Sequence, residues 1–112
     1  LPVPEIYNRG GVVSGVCHGV VGLVGAKVGS DNRWLLQGKR VTGFSDREEE
    51  LVGLLGKLPS VERQLQEAGG QFTCAEPWSE HVERDGRIVT GQNPASSASV
   101  ARNVIAALEA AA

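Results

Sequence analysis

Methionine is absent from this chain of 112 residues, and aromatic side chains make up only 4% of it. With no initiator Met, and a start at Leu1-Pro2-Val3-Pro4-Glu5, the expectation is a processed, truncated or split polypeptide. That opening also lacks the positively charged region of a signal peptide. No apolar run approaches the roughly 20 residues that a bilayer-spanning helix needs, so no membrane partner is expected. Basic residues do not predominate: 11 Lys and Arg stand against 13 Asp and Glu, for a formal charge of −2. Without a basic stripe or interleaved aromatics, nothing addresses nucleic acid. Only two cysteines occur, Cys17 and Cys74, and their spacing is not C-x-x-C. Such thiols suit a reducing cytoplasm better than a disulfide framework. The two histidines, His18 and His81, are too few and too isolated for a metal site.

What is present alternates between strand-like and helix-like segments. Glu5 to Arg9 reads as the tail of a helix stopped by Gly10-Gly11. Val12 to Val16 reads as a first strand, apolar enough to be covered on both faces. Gly19 to Val24 is expected as a helix, weakened by its glycines. A turn at Gly29 to Asn32 and a second strand at Lys39 to Phe44 follow. A helix then begins near Ser45 or Asp46, with Glu48, Glu49 and Glu50 in its first turn, where the dipole favours acids. Pro59-Ser60 opens another, with Val61, Leu65 and Ala68 on its apolar face and Gly69-Gly70 at its end. Gln71 to Cys74 is a short strand, and Asp85-Gly86 is a hairpin turn between His81–Arg84 and Ile88–Thr90. Asn93 is expected to cap a final helix whose first residue is Pro94. One α/β domain with a largely parallel sheet is the implied class, without repeat or linker.

The run Gly15-Val16-Cys17-His18-Gly19, at the end of the first strand, has the shape of a nucleophile elbow with cysteine at its apex. A buried strand feeds a sharp turn into a helix, and the apex residue takes a strained φ. Glycines two before and two after are expected to spare a clash where strand and helix cross. The thiol then lies at a helix N-terminus, whose N–H groups favour a thiolate. The alternative for a buried cysteine is a small inert hydrophobe.

Three blocks extend this signal: Val12 to Gly19 (VVSGVCHG), Gly38 to Glu50 (GKRVTGFSDREEE) and Asp85 to Ser97 (DGRIVTGQNPASS). In order and spacing they resemble the second half of ThiJ/PfpI-superfamily proteins, whose fold is that of class I glutamine amidotransferases. Within it they resemble the heat-shock-chaperone-like branch with glyoxalase III activity. The resemblance runs from about Tyr7 onward, with one departure at Val20, where many relatives carry proline. It implies a flavodoxin-like three-layer sandwich with a mostly parallel sheet, residues 1–112 being the C-terminal half of one domain. It also implies a complementary N-terminal segment, holding a glutamate and a second oxyanion N–H, and a homodimer.

Carried over by position, Cys17 is the nucleophile, His18 the adjacent base with an oxyanion N–H, and Glu49 the acid that orients its ring. A thiol needs a nearby imidazole to become a thiolate, and a carboxylate on the far ring nitrogen fixes the tautomer. By residue type alone Asp46, Glu48 and Glu50 serve equally, and a solvated helix start is the alternative for the whole run. Cys74 is expected as a packed core thiol, and His81 as an ordinary hairpin-side residue. Gln92 to Ser96 reads as a well-capped helix start, the alternative being a ligand or anion site between strand end and helix with a supporting role near the active site. The activity implied is a cofactor-free glyoxalase III-like lyase acting on a small aldehyde, methylglyoxal. A stress-related holdase or redox sensor, and a cysteine amidase or peptidase, are the alternatives, because fold does not settle function.

Overall fold

The structure, a computed structural model, describes residues 2–111. Helix α1 (Val3–Asn8) leads into β1 (Val13–Val16) and a 3₁₀ helix (Cys17–Leu23). Strands β2 (Lys27–Val28), β3 (Arg33–Trp34) and β4 (Arg40–Val41) precede α2 (Asp46–Leu51) and α3 (Val61–Glu67). Strands β5 (Gln71–Phe72), β6 (Val82–Asp85) and β7 (Ile88–Gly91) follow, then a 3₁₀ turn (Pro94–Ser96) and α4 (Ser97–Ala111).

Strand β7 organises the molecule. It lies parallel to β1, with Val13 opposite Ile88 and Val16 opposite Gly91, and antiparallel to β6. Its neighbours Ile88 and Val89 are both fully buried, on opposite faces, as strand alternation requires. Ile88 joins a cluster with Val20, Leu36, Val41 and Leu65, against which α1 also packs through Val3 and Ile6. Val89 packs instead on Val100 and Ala107 of α4. Helices therefore cover both faces of the sheet, the layering of a flavodoxin-like α/β fold. Strands β4 and β5 pair in parallel, and β2 and β3 form a small antiparallel hairpin around the turn at Gly29 to Asn32. The sheets are thus mixed: the parallel pairings come from the α/β alternation, the antiparallel ones from the hairpins.

Local signals hold where short-range chemistry decides. Ser45 caps α2 in a capping box with Glu48, and Ser60 caps α3 by accepting from the Arg63 N–H at 3.0 Å. Val61, Leu65 and Ala68 are buried, as their spacing requires.

Several expectations need correction. The segment after β1 is not an α-helix from Gly19 but a 3₁₀ helix from Cys17; two glycines and three β-branched or Cys residues give it little α propensity. Strand β1 is covered only in part on its α4 face: Val13 is buried on the opposite face and Val16 packs on the Val89 cluster, but Ser14 is exposed, and the outer edge of β1 pairs with no strand among the described residues. The β6–β7 turn is Gly86-Arg87, one residue later than expected. Asp85 stays in the ladder opposite Ile88, its carboxylate accepting from the Arg40 N–H, and Gly86 takes φ +60°. Strand β5 stops at Phe72, so Cys74 is not on a strand and is exposed, not packed in the core.

Candidate functional site

Cys17 sits directly after β1, at φ +60°, a conformation that a non-glycine residue adopts only when its surroundings impose it. The crossing of strand and 3₁₀ helix imposes it here. A Cβ on Gly15 would lie 2.9 Å from Val20 Cα, so glycine is needed there. Gly19 plays no such part, because a Cβ there would meet nothing within 4 Å.

The side chain of Cys17 is half-buried, with Sγ 3.5 Å from His18 Nδ1. The other ring nitrogen, Nε2, lies 2.5 Å from Glu49 Oε1. A carboxylate can only accept, so Nε2 carries the hydrogen and Nδ1 is left with a lone pair facing the thiol. Glu49 is fully buried, and its Oε2 has no partner among the described residues. Its interaction with protein donors is therefore concentrated on the imidazole. Phe44 stacks on the His18 ring with centroids 4.4 Å apart, and its own N–H reaches Cys17 O at 3.4 Å.

The electrostatics differ from expectation. Burial pushes the Cys17 thiol up; the His18 backbone N–H pulls it down only in part, and the charges of Glu48 and Glu49 push it further up. These contributions together favour the thiol over the thiolate expected at a helix end.

Of the four acids weighed at the start of α2, Glu49 alone bonds the imidazole. Glu50 is exposed and pairs with Arg47, while Asp46 accepts from the Ser60 hydroxyl. Glu48 is fully buried, which the reading of a solvated acidic face misses. Its Oε1 accepts from the N–H and hydroxyl of Ser45 and from the Gln92 amide; its Oε2 accepts from the Trp78 N–H and the Asn93 amide. Burial alone would raise its pKa, but these donors outweigh burial and hold the carboxyl below its ordinary value. The S-x-x-E spacing of Ser45 and Glu48 was the available signal.

Asn93 does not cap with its side chain, contrary to expectation; its amide is taken by Glu48 and by Ser79 O at 2.7 Å. His81 stands apart from the site, bonded to Thr73 Oγ1 at 2.9 Å. Exposed Cys74 has its thiol pushed up too, by burial of part of its surface and by Glu62, Glu48 and Glu76.

No family model matches the chain. Among curated proteins it is 37% identical over 110 residues to glyoxalase 3 of Candida albicans, covering 93% of this chain and 47% of that protein. It is 40% identical over 114 residues to a glutathione-independent glyoxalase of Saccharomyces cerevisiae, covering 94% and 47%. Its fold matches the crystal structure of Candida albicans glyoxalase III with a TM-score of 0.87 at 36% identity, over 93% of this chain and 46% of that one. Rapid Encystment Protein 24 kDa of Francisella tularensis gives 0.87 at 38% identity, over 93% and 46%. The chain spans about half the length of the curated relatives it matches. By sequence and fold together, it belongs to the ThiJ/PfpI superfamily, as a homologue of the glutathione-independent glyoxalases.

Proposed function

We propose that this chain is the C-terminal half of a glyoxalase III-like domain, in which Cys17, His18 and Glu49 convert methylglyoxal and water to lactate without a cofactor. The observation that supports it most is the relay from Cys17 Sγ through both nitrogens of His18 to Glu49. His18 Nδ1 takes the thiol proton as Sγ attacks the aldehyde carbon. The C–S bond forms, and the former aldehyde oxygen takes that proton from the imidazolium to give a hemithioacetal. A base then moves the hydrogen on that carbon to the adjacent ketone carbon through an enediolate. The base is His18 or the glutamate of the complementary segment. The His18 backbone N–H, which donates toward Sγ, serves in this reading as an oxyanion donor. Water finally attacks the resulting thioester, the C–S bond breaks, and lactate leaves with the thiol restored.

Glu49 keeps Nδ1 free to accept and stabilises the imidazolium that forms. The complementary N-terminal segment, a homodimer and a cytoplasmic location belong to the same proposal. Among the described residues, no helix is long and apolar enough to cross a membrane.

The test uses the full-length protein, with lactate formation from methylglyoxal measured without glutathione. Cys17→Ala should abolish it, and Glu49→Gln should lower kcat by about ten- to ten-thousand-fold. Turnover that survives Cys17→Ala, or a silent Glu49→Gln, would overturn this assignment.

A further inference from the structure

Glu48 is a fully buried carboxylate that the proposed reaction does not use, yet it receives five hydrogen bonds. Two come from its own helix cap. The other three come from elsewhere: the Trp78 backbone, and the Gln92 and Asn93 amides just after β7. Those two amides also hold the segment that carries Trp78, Gln92 through Ala75 O at 3.2 Å and Asn93 through Ser79 O at 2.7 Å. Ala75 to Ser79 is thus tied down at both ends and in the middle by one buried network.

What this network holds is Trp78 at φ +66°, a backbone conformation that costs a bulky residue free energy. The Trp78 N–H donates to Glu48 Oε2 at 2.9 Å, which offsets that cost. The indole is 46% exposed and lies against Phe44, with centroids 5.7 Å apart; Phe44 in turn stacks on His18. An exposed tryptophan is thereby fixed with one ring, Phe44, between it and the imidazole. Nothing about packing the core requires it there.

We propose that Trp78, across Phe44 from the His18 ring, is a specificity-determining wall on the approach to Cys17, limiting the bulk of the aldehyde that reaches the thiol, and that Glu48 is the positioning residue that fixes it. The inference deepens the glyoxalase reading and rests on it for the identity of the substrate. A rigid aromatic face suits a 2-oxoaldehyde with a methyl-sized substituent and excludes an aryl one. Glu48 acts through the backbone of Trp78 and touches no reacting atom.

The test measures kcat/KM of the full-length protein for phenylglyoxal relative to methylglyoxal. Trp78→Gly suits the positive φ and removes the indole, so it should fold. It should raise the ratio about tenfold, while Trp78→Phe keeps it within about twofold of wild type. Glu48→Gln replaces an acceptor oxygen with a donor nitrogen and should shift the ratio in the same direction; in the double variant with Trp78→Gly it should add nothing. Where Glu48→Gln does not fold, Asn93→Ala, which removes one donor to the same oxygen, should give a smaller shift of the same sign. A parallel arm needs no turnover: alkylation of Cys17 by N-phenylmaleimide relative to iodoacetamide should rise in Trp78→Gly and in the network variants. If the wild type consumes neither aldehyde, the glyoxalase reading fails while this arm still decides on the wall. Wild-type ratios in Trp78→Gly in both arms would overturn the wall. An equal loss on both aldehydes in Glu48→Gln or Asn93→Ala, with unchanged ratios, would overturn the positioning role.

Discussion

Cys17 and its neighbours illustrate how a reactive group can be placed without being charged in advance. At φ +60° the thiol is held beside His18, but burial and then the charges of Glu48 and Glu49 disfavour the thiolate. Alkylation consumes only thiolate, so a raised pKa moves the rate profile to higher pH. The labelling rate of Cys17 by iodoacetamide should keep climbing above about pH 8.5, where an ordinary thiol begins to level off. A plateau already reached at neutral pH, read by peptide mapping across a pH series, would show instead a thiolate formed in advance. Glu48 gives the opposite sign. Its folded pKa lies below its unfolded value, so its contribution to stability is full above the unfolded value. It is lost as pH falls toward the lower folded value. Urea titrations from about pH 6 to pH 3 should therefore show a shallower acid loss in Glu48→Gln than in wild type. That variant should also start about 1–3 kcal/mol lower, because buried donors lose their acceptor. Parallel curves would mean that Glu48 is not ionised in the folded state.

At the level of elements, the crossing of β1 with the 3₁₀ helix carries the strain of the elbow. Gly15 and Gly19 look equivalent in the sequence, symmetric about Cys17, but the structure separates them. In Gly15→Ala the new methyl would press on the backbone of Val20, which cannot yield as a flexible side-chain end does. A loss of about 1–3 kcal/mol is expected, with displacement of Cys17. Gly19→Ala adds a methyl in open space and removes freedom from the unfolded chain, so it should be neutral or stabilising by up to about 1 kcal/mol. Denaturant midpoints of the two variants measure this directly, and equal effects would show that the crossing is not the constraint. Helix α2 is the second such element. Its capping box orients Glu48 inward through Ser45, and one residue later Glu49 also points inward, toward His18. One short cap thus aims two acids at two separate sets of partners.

For the whole molecule, the open edge of β1 and the outward apolar residues Ile105 and Leu108 of α4 are the features that matter. An uncovered strand edge is a template for pairing with another chain. Ile105 is 57% exposed and Leu108 50%, and together they add apolar surface on one helix. With the proposed complementary segment supplying the neighbour of β1 and the second oxyanion donor, residues 1–112 purified alone should turn over no methylglyoxal. They should also sediment as associated species. A monodisperse monomer with full turnover would overturn the proposal of a complementary segment, since its missing groups would then come from within the chain.

Much of this organisation is short-range and was readable without coordinates. The start of α2 near Ser45, Ser60 as a cap, the apolar face of α3, the stop at Gly10-Gly11 and the strained apex at Cys17 each depend on residues within one or two turns of each other. The resemblance of three blocks to known proteins then singled out Glu49 for its proposed role, which acidity alone could not separate from Asp46, Glu48 and Glu50. Tertiary structure decided the rest, because long-range partners set burial and charge. Glu48 is inside only because Trp78, Gln92 and Asn93 come from 30 to 45 positions away to meet it. Asn93 gave up its expected cap for the same reason. The Cys17 thiol is pushed up first by burial and then by two carboxylates more than 30 residues distant, and no local pattern around the elbow encodes either. Cys74 is exposed because β5 ends at Phe72. A residue's type and spacing fix what it can do locally; whether it is buried, charged or partnered is settled by segments that meet only in the folded chain.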